Sequence, residues 1–337
     1  MSLARDQIMQ KFLSSVIGAN GLLNATQAKT FTDELVEETE LLKLCDRRMT
    51  NEKAGDFFKI NLGSPVTVAA SEGTEYLDET GEPTTSKYSY SVKKARTQFE
   101  FTSEDDVWTI EGPAFKEHVV RLWEQRMALD MENLAISGDE SLYATPSSAW
   151  EKLIDINDGW LHALTTANGV HILDAANVTI GGASAAYPSH SLFAAAYGLV
   201  PTKYLKFARQ NYRWITSPHV IQDYLHWLAS RQTSLGDAIL QGRAELTPER
   251  IPFLDVSAFP EDLGENDDQC VVVLADPKAF VWMVHREMKL LNRYVQEKDS
   301  YRYTGYTYSD FIVTNYSSIV KVVNVERNTD FAVEEES

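Results

Sequence analysis

The sequence predicts an α+β chain in two lobes, and three observations carry that reading. A turn-rich, two-stranded excursion over residues 64–103 runs directly into one long amphipathic helix. Mixed helix and strand signals follow from His190, and the C-terminal part is rich in strands. At 337 residues and 44% hydrophobic, the chain is long enough to bury a substantial core.

Residues 1–55 read as helical but not self-sufficient. Ile8, Phe12, Leu13 and Val16 make a short stripe. Thr26–Arg48 continues it with Phe31, Leu35, Val36, Leu41, Leu42 and Leu44, ending near Met49-Thr50, and Gly18–Asn24 separates the two parts. Nothing here closes a domain, so the segment is expected to be an arm that docks elsewhere. Residues 56–63 predict a strand leading to the excursion. In the excursion Val66–Ala70 is one short strand. Lys87–Thr102 is the other, with Tyr88, Tyr90 and Val92 on one parity and Gln98, Glu100 and Thr102 on the same side further on. The tip, Ser71–Thr85, holds two glycines, a proline and five acids, with little to bury. A strand pair with so polar a tip is expected to lie on something other than its own core.

Gly112-Pro113 places proline in the first turn of the following helix, where its missing N–H is harmless. Phe115, Val119, Leu122, Trp123, Met127, Met131 and Leu134 recur at three- and four-residue spacing, predicting one apolar stripe. Glu117 and Arg121, and Arg126 and Asp130, are spaced for ion pairs on the other face. Gly138 supplies a left-handed stop. The span 113–137 corresponds to a strut of roughly 37 Å.

Beyond Ser137-Gly138-Asp139 a loop runs through Trp150, and an Asp158-Gly159 turn precedes a short helix. A small-residue stretch (Gly181–Ala186) leads to a helix from His190 to about Phe207. A strand at Arg213–Thr216 and a helix from Ser217-Pro218 to Arg231 come next. After an irregular section from Leu235, Cys270–Leu274 reads as a buried strand, and Asp276-Pro277 opens a helix toward Arg286. Strands are expected at Lys289–Gln296, Tyr301–Tyr308, Phe311–Asn315 and Ile319–Val325. No internal repeat is visible.

A formal net charge of −18, from 49 acids against 31 bases, excludes a protein whose main task is gripping phosphate backbones. Identical subunits this acidic repel over about a Debye length, so any assembly should respond to salt. Met1–Asp6 enters an amphipathic segment and not a secretion signal, and no apolar run reaches the ~18 residues of a membrane span. Cys45 and Cys270, the only cysteines, are expected to be reduced thiols.

The residues give no catalytic set, no cofactor-binding set and no metal ligand set. Phosphate-cradling glycine loops are absent. Ser184, in Gly182–Ala186, lacks the closing glycine of a nucleophile elbow. Ser91 and Lys94 have S-x-x-K spacing, but on a strand they do not converge. The seven histidines (His118, His162, His171, His190, His219, His226 and His285) make no H-x-x-x-H pair. Glu265–Asp268 lacks the ligand alternation and glycine of a calcium loop and reads as a solvated tip. Tyr301–Tyr308 interleaves tyrosines with Arg302, which suits a half-buried strand better than a base-stacking surface.

The order of parts resembles the major capsid proteins of tailed bacteriophages, the Hong Kong 97 fold, over nearly the whole chain. The stretches carrying the likeness are Lys93–Asp105 (KKARTQFEFTSED), Glu132–Asp139 (ENLAISGD), Thr233–Leu240 (TSLGDAIL) and Val271–Phe280 (VVVLADPKAF). The resemblance implies an N-terminal arm over 1–55 and an extended loop over 64–103. It implies a peripheral domain from 56–63, 104–164 and 298–320 with its spine helix at 113–137, and an axial domain from 165–297 and 321–337. It further implies a non-enzymatic, self-assembling subunit that forms pentamers and hexamers of an icosahedral head. That head would enclose double-stranded DNA in the virion after assembly in the host cytoplasm, with no membrane. Portal and decoration proteins are possible partners. No long scaffolding segment precedes the arm, so a scaffold would be supplied separately or not needed. One branch of the family cross-links a loop lysine to an asparagine of a neighbour; Lys87, Lys93, Lys94 and Asn315 are the positions here. Two other readings stay open: a bacterial nanocompartment shell of the same fold enclosing a cargo enzyme, and an α/β enzyme with an unrecognised site.

Overall fold

The computed structural model describes residues 39–61, 84–102, 115–179, 189–230, 246–260 and 269–326. Its strands are β1 (Asp46–Met49), β2 (Ala54–Asn61), β3 (Thr84–Ser91), β4 (Lys93–Thr102), β5 (His171–Thr179), β6 (Arg213–Thr216), β7 (Phe253–Asp255), β8 (Gln269–Ala275), β9 (Phe280–Val295), β10 (Ser300–Val313) and β11 (Val320–Glu326). The helices are α1 (Glu40–Leu44), α2 (Phe115–Ser137), α3 (Ala149–Ile154), α4 (Trp160–Ala163), α5 (Ser189–Gly198), α6 (Thr202–Asn211) and α7 (Pro218–Ser230). The strands form a sheet of order β5-β11-β8-β6-β7, a second of order β1-β9-β10-β4, and the antiparallel pair β2-β3. Two compact units result. Arg96–Met131 and Met288–Tyr306 belong to one; Thr39–Ala95, Glu132–Glu287 and the residues from Thr307 belong to the larger.

The larger unit is organised by β8, every residue of which is buried. That is why Cys270–Leu274 reads as an unbroken apolar run: both faces of the strand are covered. One face meets Leu192, Phe193 and Ala196 of α5 and Val220, Tyr224 and Leu228 of α7, with Trp214 of β6. The α7 residues recur every four positions, so one stripe of the helix supplies the cover. Phe193 stands edge-on to Trp214 at 4.9 Å and to Tyr224 at 5.1 Å. On the other face Leu41, Ile136, Trp160, Leu161, Ile215 and Val273 surround one small apolar gap.

The smaller unit is built on alternation. Phe99, Phe101, Tyr301 and Tyr303 share a parity and interlock, with Phe99 stacked on Tyr303 at 4.9 Å and tilted against Trp123 of α2 at 5.3 Å. On the opposite parity, Glu100 accepts from Arg302 Nη2 at 2.8 Å and from the Ser300 hydroxyl. The tyrosine run is therefore sheet packing, as its composition predicts.

Several expectations are corrected. Helical spacing through Arg48 ends at Leu44. Cys45 is extended, and Asp46–Met49 pairs in parallel with Val281–Val284, so a sheet edge overrides local propensity. Residues 39–55 also pack on their own chain, with Leu41 only 2% exposed; the remainder of the expected arm lies outside the described residues. The Asp276-Pro277 start signal is real, since Asp276 caps Lys278 N at 3.0 Å. It opens only a 3-10 turn over Pro277–Ala279, because the β-formers from Phe280 continue as β9. The helix expected from His190 to Phe207 is two helices divided at Pro201, which cannot continue the first. His171–Thr179 is a strand that the sequence reading missed, and the separate strands expected at Tyr301–Tyr308 and Phe311–Asn315 are one, β10.

The strut helix is present over Phe115–Ser137, but its C-terminal half buries more than one stripe: Met127, Leu129, Met131, Glu132, Leu134, Ala135 and Ile136 are all buried. Gly138 is not a left-handed stop. A β-carbon there would lie 2.1 Å from the Asn157 carbonyl oxygen and 3.0 Å from Gly159 N, and Gly159 N donates to Gly138 O at 2.8 Å. Two backbones touch at this point, and glycine is needed for the approach. The strand partner of Lys87–Ser91 is β2, in register from Ala54↔Ser91 to Asn61↔Thr84. The expected partner Val66–Ala70 and most of the tip (71–83) lie outside the described residues, as do Pro113, Ser184 and Glu265–Asp268; Thr84 and Thr85 belong to β3.

Candidate functional site

The hairpin β2-β3 has two unlike faces, because residues paired across it share a side. Phe57 stacks on Tyr88 at 5.2 Å, and both pack with Tyr90 against Val281, Met283 and Ile312. Three hydrogen bonds fix this inner face. Tyr90 and Thr50 join their hydroxyls at 2.7 Å, Asn315 N donates to the Tyr88 oxygen at 3.2 Å, and Ser91 N donates to Asp310 Oδ2 at 2.7 Å. The outer face carries Phe58 and Ile60, 61% and 72% exposed, beside the Asp56–Lys87 ion pair at 2.8 Å.

A half-buried carboxylate, Asp310, anchors the hairpin, and a buried one, Glu132, anchors α1. Asp310 accepts from Ser91 N, from Asn157 Nδ2 at 2.9 Å and from Phe311 N at 2.8 Å; burial still holds its pKa above the usual carboxylate value. Glu132, 1% exposed, accepts from Leu41 N at 3.0 Å and Leu42 N at 3.5 Å, capping α1 from a distant part of the chain. Burial raises its pKa too, against those two bonds. Lys321 makes the reverse arrangement. Its ammonium donates to the Leu161 and Leu164 carbonyls at 3.3 and 3.5 Å, at the end of α4, and burial lowers its pKa.

Beside the hairpin is a polar cleft of about 320 Å³, lined by Arg48, Lys59, Tyr204, Asn211, Tyr212, Asp276, Lys278, Ala279, Thr314, Asn315 and Ser318. Three of these are cations and one is an acid.

The three loop lysines are each engaged: Lys87 with Asp56, Lys93 with Glu140, and Lys94 over the Tyr308 ring at 5.7 Å. Asn315 sits in left-handed backbone, φ 54°, at the turn before β11. Cys45 donates to Leu42 O at 3.1 Å, and burial, helped by Asp46, pushes its thiol pKa up to about 12; Cys270 is buried, and both are free thiols. Asp139, Asp158 and His162, which spacing does not single out, bring ligand atoms within 4.8 Å of one another. Both carboxylates already accept loop hydrogen bonds, from Ser141 N at 2.8 Å and Glu140 N at 3.1 Å. The sequence reading missed Glu132, Asp310 and Lys321, because only the fold brings their distant backbone partners to them.

The architecture is one shared with capsid and encapsulin shell chains. Along 89% of its length it matches a chain of the satellite phage P4 procapsid that includes the size determination protein, covering 99% of that chain with a TM-score of 0.60 at 14% identity. It matches a capsid chain of the native GTA particle over 92% of its own length and 98% of the other, TM-score 0.59 at 13% identity. The holo-SrpI encapsulin of Synechococcus elongatus PCC 7942 also matches, TM-score 0.51 at 11% identity, over 93% and 95% of the two chains. In sequence, the chain is 27% identical over 283 residues to the putative prophage capsid protein YqbE of Bacillus subtilis (strain 168), covering 82% of this chain and 84% of that one. No protein-family model matches. The chain is a sequence relative of a prophage capsid protein and has the fold of phage capsid subunits.

Proposed function

We propose that the chain is the major capsid protein of a tailed phage or prophage, many copies of which close an icosahedral head around double-stranded DNA. The observation that carries this reading is the sequence relationship to a prophage capsid protein along most of both chains, joined to a fold shared with capsid subunits. The encapsulin likeness, at 11% identity, concerns the fold alone. The role is structural: subunits bury surface against one another and turn over no substrate.

In this reading α2 is the spine helix of a peripheral domain, the hairpin belongs to the extended loop, and the five-stranded sheet with α5–α7 is the axial domain. The exposed Phe58 and Ile60 support the loop assignment, since an apolar pair left open on one subunit is suited to burial by another. Pentamers and hexamers are the expected building blocks, with portal, scaffold and decoration proteins as partners. The test is electron microscopy and sedimentation of the expressed protein, with and without its neighbouring structural genes. Closed shells that package DNA in the phage context are the expected result. A chain that stays monomeric in every condition refutes the reading, and shells that form only around a cargo enzyme favour the nanocompartment.

A further inference from the structure

The polar cleft beside the hairpin is an accumulation of positive charge on a chain of net charge −18. Its cations differ in how they are engaged. Arg48 is held by Asp46 at 2.8 Å and lies over the Phe57 ring at 4.9 Å. Asp276, the one acid of the lining, is committed to Lys278 N at 3.0 Å. The ammonium groups of Lys59 and Lys278 are exposed and have no carboxylate partner among the described residues. Neutral donors flank them: the Tyr204 hydroxyl, shared with Ser317 Oγ at 3.3 Å, and the Asn211 side chain. Burial raises the Tyr204 pKa, but the Ser317 hydrogen bond and the charges of Lys203 and Lys59 outweigh it and leave it lowered, so the positive field extends into the cleft.

We propose that this cleft receives a carboxylate side chain from a second copy of the chain, bound between Lys59 and Lys278. The inference rests on the shell-subunit reading and adds a site to it. Copies that repel one another overall can still associate where local charges are complementary, and such contacts set orientation and salt dependence more than raw affinity. Carboxylate is abundant on the partner, with 49 acids per chain. A concave site with donors on several sides also fixes the direction of approach, which a flat lysine patch does not.

The test uses the full chain assembled from a mixture of ¹⁴N- and ¹⁵N-labelled protein. Carbodiimide treatment joins a lysine amine to a carboxylate only where the two are in contact. The expected result is cross-linked peptides that pair Lys59 or Lys278 with an acidic peptide of the other isotope. Lys59→Glu and Lys278→Glu should each lower the association constant about tenfold by sedimentation, with the subunit's circular dichroism and melting unchanged, while Lys152→Glu, outside the cleft, should not. Inorganic phosphate is the small-anion probe. If calorimetry shows it binding the subunit, and wild-type shells yield no cross-isotope link at these lysines, the site takes a free anion and the proposal is overturned. Wild-type shells with unlinked lysines and normally assembling variants overturn it as well. Failure of the wild type to assemble at all refutes the shell reading instead.

Discussion

Gly305→Ala should destabilise the smaller unit through one side chain, Trp123. A β-carbon at position 305 would lie 2.5 Å from Trp123 Cη2, 3.0 Å from Cζ2 and 3.1 Å from Thr97 Oγ1. The indole would have to withdraw by about 1 Å to restore van der Waals contact. It cannot do so freely, because Phe99 lies against it at 5.3 Å and Phe99 is itself stacked on Tyr303. Overpacking of this kind costs about 1–3 kcal/mol. Against that, replacing glycine within a strand by alanine gains roughly 0.4–1 kcal/mol by reducing unfolded-chain entropy. The net expectation is a loss of about 0–2.6 kcal/mol, read from urea unfolding followed by far-ultraviolet circular dichroism. The decisive comparison is the Trp123→Ala background, where the obstruction is gone and Gly305→Ala should be neutral or stabilising. Equal losses in both backgrounds would refute the argument, since a backbone requirement for glycine would not depend on Trp123.

Glu132→Ala should cost about 1–3 kcal/mol by leaving the Leu41 and Leu42 N–H groups without their acceptor, whereas Glu132→Gln, which keeps a carbonyl oxygen, should cost less; denaturant midpoints decide. Because burial raises the Glu132 pKa, its contribution is fully present below the ordinary carboxylate pKa and is lost as pH rises through the higher folded value. The wild type should therefore gain on Glu132→Gln as pH falls from neutral toward the carboxylate range, and a pH-independent difference would contradict this. Phe58→Ser with Ile60→Ser should leave subunit stability within about 0.5 kcal/mol and reduce shell yield in sedimentation, because both side chains are already in solvent. With its pKa near 12, Cys45 should be about 10⁻⁴ thiolate at pH 8 and react with a disulfide reagent in the native protein far more slowly than in denaturant; equal rates would show the thiol to be open.

What was legible in the sequence is what depends on neighbours along the chain. β6, α7 and β8 came from uninterrupted β-formers, a Ser-Pro start and a valine run, all local signals. The failures have a common physical origin in distant pairing. Asp46–Met49 is a strand because β9 offers it an edge, and Phe280–Arg286 is not a helix because it is that edge. Gly138 looked like a stop signal, whereas its role is contact with Gly159 across a loop. The anchoring carboxylates were illegible for the same reason. Glu132 looks like an ordinary polar helix position until Leu41 arrives from 91 residues away. The order of parts, which does not require any single contact to be foreseen, carried the functional reading further than any motif.

The hairpin's hydrogen bonds have a mechanical meaning. Those described are gathered at one end, at Tyr88, Tyr90 and Ser91, while Phe58 and Ile60 lie further along β2. This is a beam clamped at its base. From Phe57 to Asn61 is roughly 14 Å of strand at 3.4 Å per residue, so a rotation of about 10° at the clamp carries the far end about 2 Å. A shift of that size is enough to make or break an apolar contact while leaving the base bonds within their normal range. The clamp residues thus govern where the exposed side chains point, so tuning of their reach resides in two tyrosine hydroxyls and one aspartate at the base of the strand pair.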